Sequence, residues 1–157
     1  MKNMLKFVCI CTLITTIGLL AIGCEKENTK SSIEKESSDY PITNIKWHLT
    51  SFTDVDKQMT VPPLNNHEQV YLLKFKDSTF EGHSFSNEIV GYITMDTVQK
   101  NMHFRSIGGT KINELFDGEK FIESLRQVQS YSTPDAGTLI LYYNENRNYL
   151  QFEKVAE

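Results

Sequence analysis

Four histidines, at positions 48, 67, 83 and 103, are the natural candidates for metal binding or proton transfer, and none stands at an HxH or HExxH spacing. Ligands that share a metal usually announce themselves by such spacing. Solvent-facing strand positions account for His48, His83 and His103, and no metal ligand or catalytic residue is expected. Ser84, Ser86 and Ser106 lack the G-x-S-x-G setting of a nucleophile elbow. Gly108-Gly109-Thr110-Lys111 has the residue types of a phosphate loop, but not the first glycine at P-loop spacing nor a helix directly after it. A strand that bends or bulges at two glycines is expected there, with similar steric roles for Gly82 and Gly91. The aromatics Trp47, Tyr71, Phe75, Tyr142, Tyr143, Tyr149 and Phe152 could line a ligand groove, yet on alternating strands they read first as core.

One residue stands apart, Cys24. Lys2 and Lys6 form a short positive region, Phe7 to Ile22 is apolar, and Gly23 precedes the cysteine. This pattern is that of a secretory signal, and Leu20-Ala21-Ile22-Gly23-Cys24 resembles a bacterial lipobox with Ala21 where leucine is commonest. Residues 1–23 are therefore expected to be a lipoprotein signal peptide and Cys24 the lipidated first residue. The alternative is an uncleaved membrane helix, for which the apolar run is short against the roughly 20 residues needed. Cys9 and Cys11 leave with the signal and no cysteine follows position 24, so an internal disulfide or thiolate site is excluded from the mature domain. One acyl chain binds a membrane only marginally; the three chains of a bacterial lipoprotein would hold it firmly.

Loss of residues 1–23 leaves 20 acids against 14 bases, a net charge of −6. That balance disfavours nucleic acid as a partner, since phosphate backbones reward clustered Lys and Arg. Residues 24–39 form the expected charged tether: from Glu25 to Asp39 only Ile33 is apolar, too little to offset the entropy of ordering. Fully extended it would span on the order of 50 Å. Residues 40–157 suit one domain with one core.

Most of that domain reads as short strands: Ile45 to Leu49, Val70 to Lys76, Thr79 to Phe85, Glu88 to Met95 and Met102 to Ile107. Asp54 to Glu68, with Pro62-Pro63 and Asn65-Asn66, reads as loop. Phe121, Ile122, Leu125 and Val128 mark one stripe of an amphipathic helix near 117–129, with Asp117 as N-cap. After Pro134, Thr138 to Tyr143 and Asn148 to Phe152 form a closing hairpin. The expected class is α+β: an antiparallel sheet of short strands with one helix before a C-terminal hairpin.

The order of these motifs resembles the META domain family. Trp47-His48-Leu49 is similar to its opening W-x-L, Phe75 to Gly82 to its first hairpin, and Ser86-Asn87 with Gly91-Tyr92 to its C-N-x-x-x-G-x-Y stretch. Gly109-Thr110-Lys111, the helix and the last two strands complete the likeness over about residues 45–154. The family's frequent cysteines are replaced here by Ser86 and Ile112-Asn113, so redox properties of relatives do not carry over. The resemblance implies an envelope lipoprotein without cofactor, anchored in the outer membrane of a Gram-negative cell and facing the periplasm or the surface. Its role would be binding or structural, toward an envelope protein or glycan; a periplasmic stress factor is the second expectation and an enzyme with an unrecognised site the third. Asp77-Ser78-Thr79 and Asp96-Thr97-Val98 resemble the D-(S/T)-x O-glycosylation sites of some Gram-negative anaerobes, which makes Ser78 and Thr97 candidate modification sites. Ordinary turn chemistry explains both segments equally well.

Overall fold

The computed structural model describes residues 40–156. The expected signal peptide 1–23, Cys24 and the tether 24–39 lie outside the described residues. Nine strands and one helix follow in order: β1 Lys46–Asp54, β2 Met59–Val61, β3 Leu72–Lys76, β4 Thr79–His83, β5 Glu88–Asp96, β6 Asn101–Gly109, α1 Gly118–Arg126, β7 Val128–Asp135, β8 Thr138–Tyr143 and β9 Asn148–Lys154. All neighbouring strands are antiparallel, in the order β2-β1-β3-β4-β5-β6-β7-β8-β9, and β9 pairs back onto β1 from Asn148↔Asp54 to Lys154↔Trp47. Eight strands thus close into a meandering barrel, while β2 extends the β1 edge beyond β3. Closure removes most of the free edge that an open sheet would present.

Alternation along the strands decides the interior. Trp47, Leu49, Phe75, Ile89, Met102, Leu139, Leu141, Leu150 and Phe152 are all fully buried. An eight-stranded barrel is just wide enough for side chains to fill, and here they fill it. Trp47 donates its indole N–H to the Ile42 carbonyl at 3.0 Å, which ties the segment before β1 beneath the barrel. Thr43 bridges to Phe75, and Asn44 N–H donates to the Phe75 carbonyl at 2.7 Å. The other end is covered by α1, whose Phe121 and Leu125 are fully buried. The Phe121 ring meets Tyr71 at 5.7 Å and Phe152 at 6.3 Å.

Predominantly antiparallel β structure with a single short helix agrees with the coarse expectation. Several finer expectations are corrected. The helix spans 118–126 rather than 117–129, and Val128 opens β7 instead of closing the helical stripe. Asp117 makes no side-chain cap; its Oδ2 instead accepts the Leu64 N–H at 2.7 Å. β7 itself was hidden, because register shifts between Val128 and Ser130 and between Ser132 and Asp135 break its alternation. The same reason hides the second half of β1, where a shift between Leu49 and Ser51 leaves Ser51, Phe52 and Thr53 buried in succession. β2 lies inside the expected loop and is only three residues long. The two-glycine bulge is also displaced. β6 runs straight through Gly108 and Gly109, and the irregularity lies opposite Tyr92 and Ile93. Gly109 is required by contact: a Cβ there would stand 1.9 Å from the Glu88 carbonyl oxygen.

Candidate binding surface

Three chain segments meet at the α1-covered end: residues 62–71, the β4–β5 turn at 84–87, and residues 110–117 between β6 and α1. None is part of a helix or strand, and apart from the Tyr71 N–H on the Ser84 carbonyl at 3.3 Å the ties between them are made by side chains. Asn87 does most of this. Its amide donates to the Ile112 carbonyl at 2.8 Å and to Glu114 Oε1 at 2.6 Å. Its Oδ1 accepts from Thr110 Oγ1 at 2.9 Å and from the Ile112 N–H at 2.8 Å. Two donor and two acceptor sites are all that an asparagine side chain has, and all four are used.

Glu114 reaches the same turn from the other side. Its Oε1 accepts from the Ser84 hydroxyl, and its Oε2 from the Ser86 N–H at 3.1 Å. Ser86 Oγ accepts the Leu115 N–H at 3.2 Å. A second tie lies beside this one: Tyr71 donates its hydroxyl to the Leu64 carbonyl and accepts the Asp117 N–H, both at 3.2 Å. Burial pushes the Tyr71 phenol above its ordinary pKa.

These polar ties fix an apolar rim. Leu64, Ile112, Leu115 and Phe116 each expose between 56% and 63% of their surface, although the adjoining Ser84 and Asn87 are buried. The Phe116 ring stands 4.5 Å from the half-buried Phe85 ring, which in turn lies 6.1 Å from Tyr71. Scattered exposed apolar side chains are ordinary, whereas a cluster on a braced framework marks a surface that meets something. The rim lies at the Glu88 end of β5, and Tyr40 lies by Met95 and Thr97 at the other, where both line one cavity. Nine residues of strand separate those ends by about 30 Å.

The residues singled out from sequence fall as follows. Ser78 and Thr97 are exposed on the β3–β4 and β5–β6 turns. Asp77 has the positive φ of 51° that such a tight turn requires, and Asp96 Oδ1 accepts the Val98 and Gln99 N–H groups at 2.9 Å. Cys24 lies outside the described residues. His48 Nε2 is 2.9 Å from Asn66 Oδ1, His83 Nδ1 is 3.0 Å from the Ser84 carbonyl, and His103 Nδ1 is 3.2 Å from the Val128 carbonyl. The three are half-buried rather than freely solvent-facing. Among the described residues no group of three or more His, Cys, Asp or Glu side chains is placed to hold a metal, and no helix is long and apolar enough to cross a membrane. Trp47, Tyr71, Phe75 and Phe152 are core, while Tyr142, Tyr143 and Tyr149 are half-buried. The Asn87–Glu114 brace was not found from sequence. Its partners are 27 residues apart, and only the Ser84-x-x-Asn87 turn was locally readable.

Fold and site together define a class: a small antiparallel barrel with a packed interior, a helix over one end and an exposed apolar rim beside it. The chain belongs to the family described as domain of unknown function DUF4847, whose model matches residues 26–154. A crystal structure of a DUF4847 family protein from Bacteroides vulgatus is similar at 23% identity, with a TM-score of 0.54 over 71% of this chain and 93% of that one. An NMR structure of a protein from Burkholderia xenovorans is similar at 16% identity, with a TM-score of 0.57 over 74% of this chain and 85% of that one. At these identities the likeness is one of fold. No curated protein matches the chain.

The family match overturns the resemblance to the META domain. The features that carried that resemblance have local causes. Trp47 is a buried barrel position, Asp77-Ser78 is a tight turn, and a Cβ on Gly91 would stand 1.9 Å from the Ser106 carbonyl oxygen. Any antiparallel meander with a late helix can place such residues in that order. The family span also begins at residue 26, inside the stretch expected to be a tether.

Proposed function

We propose that this protein is a lipid-anchored component of a Gram-negative cell envelope, held by Cys24, whose barrel binds a partner through the rim of Leu64, Ile112, Leu115 and Phe116. The observation that carries the binding role is the bracing beneath the rim: the Asn87–Glu114–Ser84 network, buried at Asn87 and Ser84, and the Tyr71 tie to Leu64 and Asp117 together hold four apolar side chains out in solvent. Ser84 supports a non-catalytic reading. Among the described residues it is the serine whose hydroxyl bonds a carboxylate, and it is fully buried with that hydroxyl committed to Glu114, out of reach of a substrate. The anchor rests on the lipobox-like residues before Cys24.

Cells grown with labelled palmitate test the anchor. Label in the wild-type chain and in the membrane fraction, both lost in Cys24→Ala, is the expected result. A Cys24→Ala chain that keeps its label or its membrane association overturns it.

A further inference from the structure

The barrel wall is incomplete at one seam, between β6 and β7. β5 pairs with β6 along its length, from Ile89↔Gly109 to Asp96↔Asn101. Among the described residues the ladder between β7 and β6 holds only Asn101↔Ser130, with the Tyr131 N–H on the Lys100 carbonyl at 2.9 Å and the His103 ring 3.2 Å from the Val128 carbonyl. From Arg105 to Gly109, β6 therefore has a strand on one edge alone, and α1 is the element packed nearest it across the groove.

The direction of its free groups follows from antiparallel alternation. Thr110 N–H donates to the Glu88 carbonyl at 3.2 Å. Gly108 and Ser106, two and four residues back, accordingly turn their amides and carbonyls toward β5, while Gly109 and Ile107 turn theirs into the seam. Arg105, Ser106, Gly108 and Gly109 are exposed and Ile107 is half-buried. A groove of about 260 Å³ runs beside this edge, with Ile107 and Ile122 as apolar walls and Lys111 and Arg126 at its border. Arg126 is also paired with Glu123.

We propose that the seam takes an extended segment of a partner protein as an added β-strand along Arg105–Gly109. Donors and acceptors that recur at every second residue complement another extended backbone and little else. The two glycines place no side chain in its way. Ile107 and Ile122 offer a slot for one apolar side chain, and Lys111 favours an acidic residue beside it. The groove also includes Asn87 and Glu114 of the brace, so seam and rim form one continuous surface. The inference rests on the binding role proposed above and names the chemistry of the partner.

A phage library of random 12-residue peptides, panned on the full chain in lipid nanodiscs with empty nanodiscs as counter-selection, supplies the probe. Hydrogen exchange of the β6 segment and binding by two variants then read the site. Ile107→Pro removes a seam-facing N–H without removing a bond to β5. Ile122→Glu closes the apolar slot and repels an acidic peptide without touching the β6 backbone. Recovered peptides are expected to slow exchange at Ile107 and Gly109 by about tenfold or more, and each variant to weaken them by about tenfold. Peptides that protect another segment, variants that bind like wild type, or a library that yields no binder overturn strand addition. So does a free protein whose Ile107 and Gly109 amides are already slow; if that protection depends on protein concentration, a second copy is the occupant. A partner lost in Phe116→Ser but kept in Ile107→Pro and Ile122→Glu leaves the binding role standing and removes only the added strand.

Discussion

Replacing Asn87 by Asp changes one group from NH2 to oxygen and leaves shape nearly untouched, so its effect isolates the brace. In wild type that group donates to Glu114 Oε1 at 2.6 Å and to the Ile112 carbonyl at 2.8 Å. In Asn87→Asp a carboxylate oxygen faces a carboxylate and a carbonyl at those distances, with the site 4% exposed. Plain loss of the side chain, as in Asn87→Ala, removes four hydrogen bonds worth about 0.5–1.5 kcal/mol each. Ile112 and Thr110 are exposed and regain water, so about 2–3 kcal/mol remains lost. Asn87→Asp adds like-charge repulsion and is expected to cost about 3–5 kcal/mol at pH 7, the range for an uncompensated buried charge. For a domain of this size that is on the order of 15 °C in melting temperature. The sign with pH is fixed. The two carboxyls together hold a proton more tightly folded than unfolded, so their pKa is raised in the folded state. Stability is therefore recovered as pH falls from 7 toward the unfolded carboxylate range near 4, and lost as pH rises through the raised value. Asn87→Ala lacks the pair and should show no such recovery. Urea unfolding followed by fluorescence of Trp47, the sole tryptophan and 1% exposed, measures both. An Asn87→Asp chain within about 0.5 kcal/mol of wild type at pH 7, or one whose deficit does not shrink on acidification, rules out a brace at Asn87.

Tyr71→Phe should cost about 1–3 kcal/mol at pH 7, because it deletes both hydrogen bonds of a buried residue's hydroxyl. Since burial raises the folded phenol pKa, wild-type stability should fall as pH rises above about 10 and Tyr71→Phe should fall less steeply; urea midpoints at pH 7 and 11 check both. Gly91→Ala places a Cβ 1.9 Å from the Ser106 carbonyl oxygen and 2.8 Å from the Phe80 ring, so the β5–β6 pair must part. A loss of at least about 2 kcal/mol by thermal melting is expected. Phe121→Ala removes the ring that α1 drives between Tyr71 and Phe152, at about 3–5 kcal/mol by the same measurement. Ser78→Ala and Thr97→Ala, both on exposed turns, should change stability by no more than about 0.5 kcal/mol. Intact mass of native protein shows whether each removes a glycan; a spectrum of polypeptide and lipid alone ends that idea.

Where alternation is unbroken, strands were legible. β5, β8 and β9 are legible because Ile89, Ile93, Leu139, Leu141, Leu150 and Phe152 point inward at period two, and β3 only from Leu72 on, since Val70 and Tyr71 fall before the strand and Tyr71 has a positive φ of 54°. Register shifts defeated the same logic in β7 and late β1, since one extra residue turns the pattern over. Barrel closure was not legible at all: the β1–β9 pairing joins residues about a hundred positions apart, such as Thr50 Oγ1 and the Gln151 carbonyl. The rim escaped for a related reason. Leu115 and Phe116 stand just before the expected helix, and the groups that fix them, Ser86 Oγ on the Leu115 N–H and Asn87 on Glu114, lie nearly thirty positions earlier in the chain. Turn chemistry misled as well as informed, because the residues that matched the META pattern are those any tight meander needs.

A barrel that binds through its α1-covered rim must touch its partner there in the cell. Photo-crosslinking in growing cells tests it most directly, with a photoreactive side chain placed at Phe116 or, as control, at Tyr92 on the outer wall, where 63% of the side chain's residue surface is exposed. A discrete higher-mass adduct is expected from position 116, absent at 92 and lost in Leu64→Ser/Leu115→Ser. Equal adducts from both positions, or none from 116, contradict it.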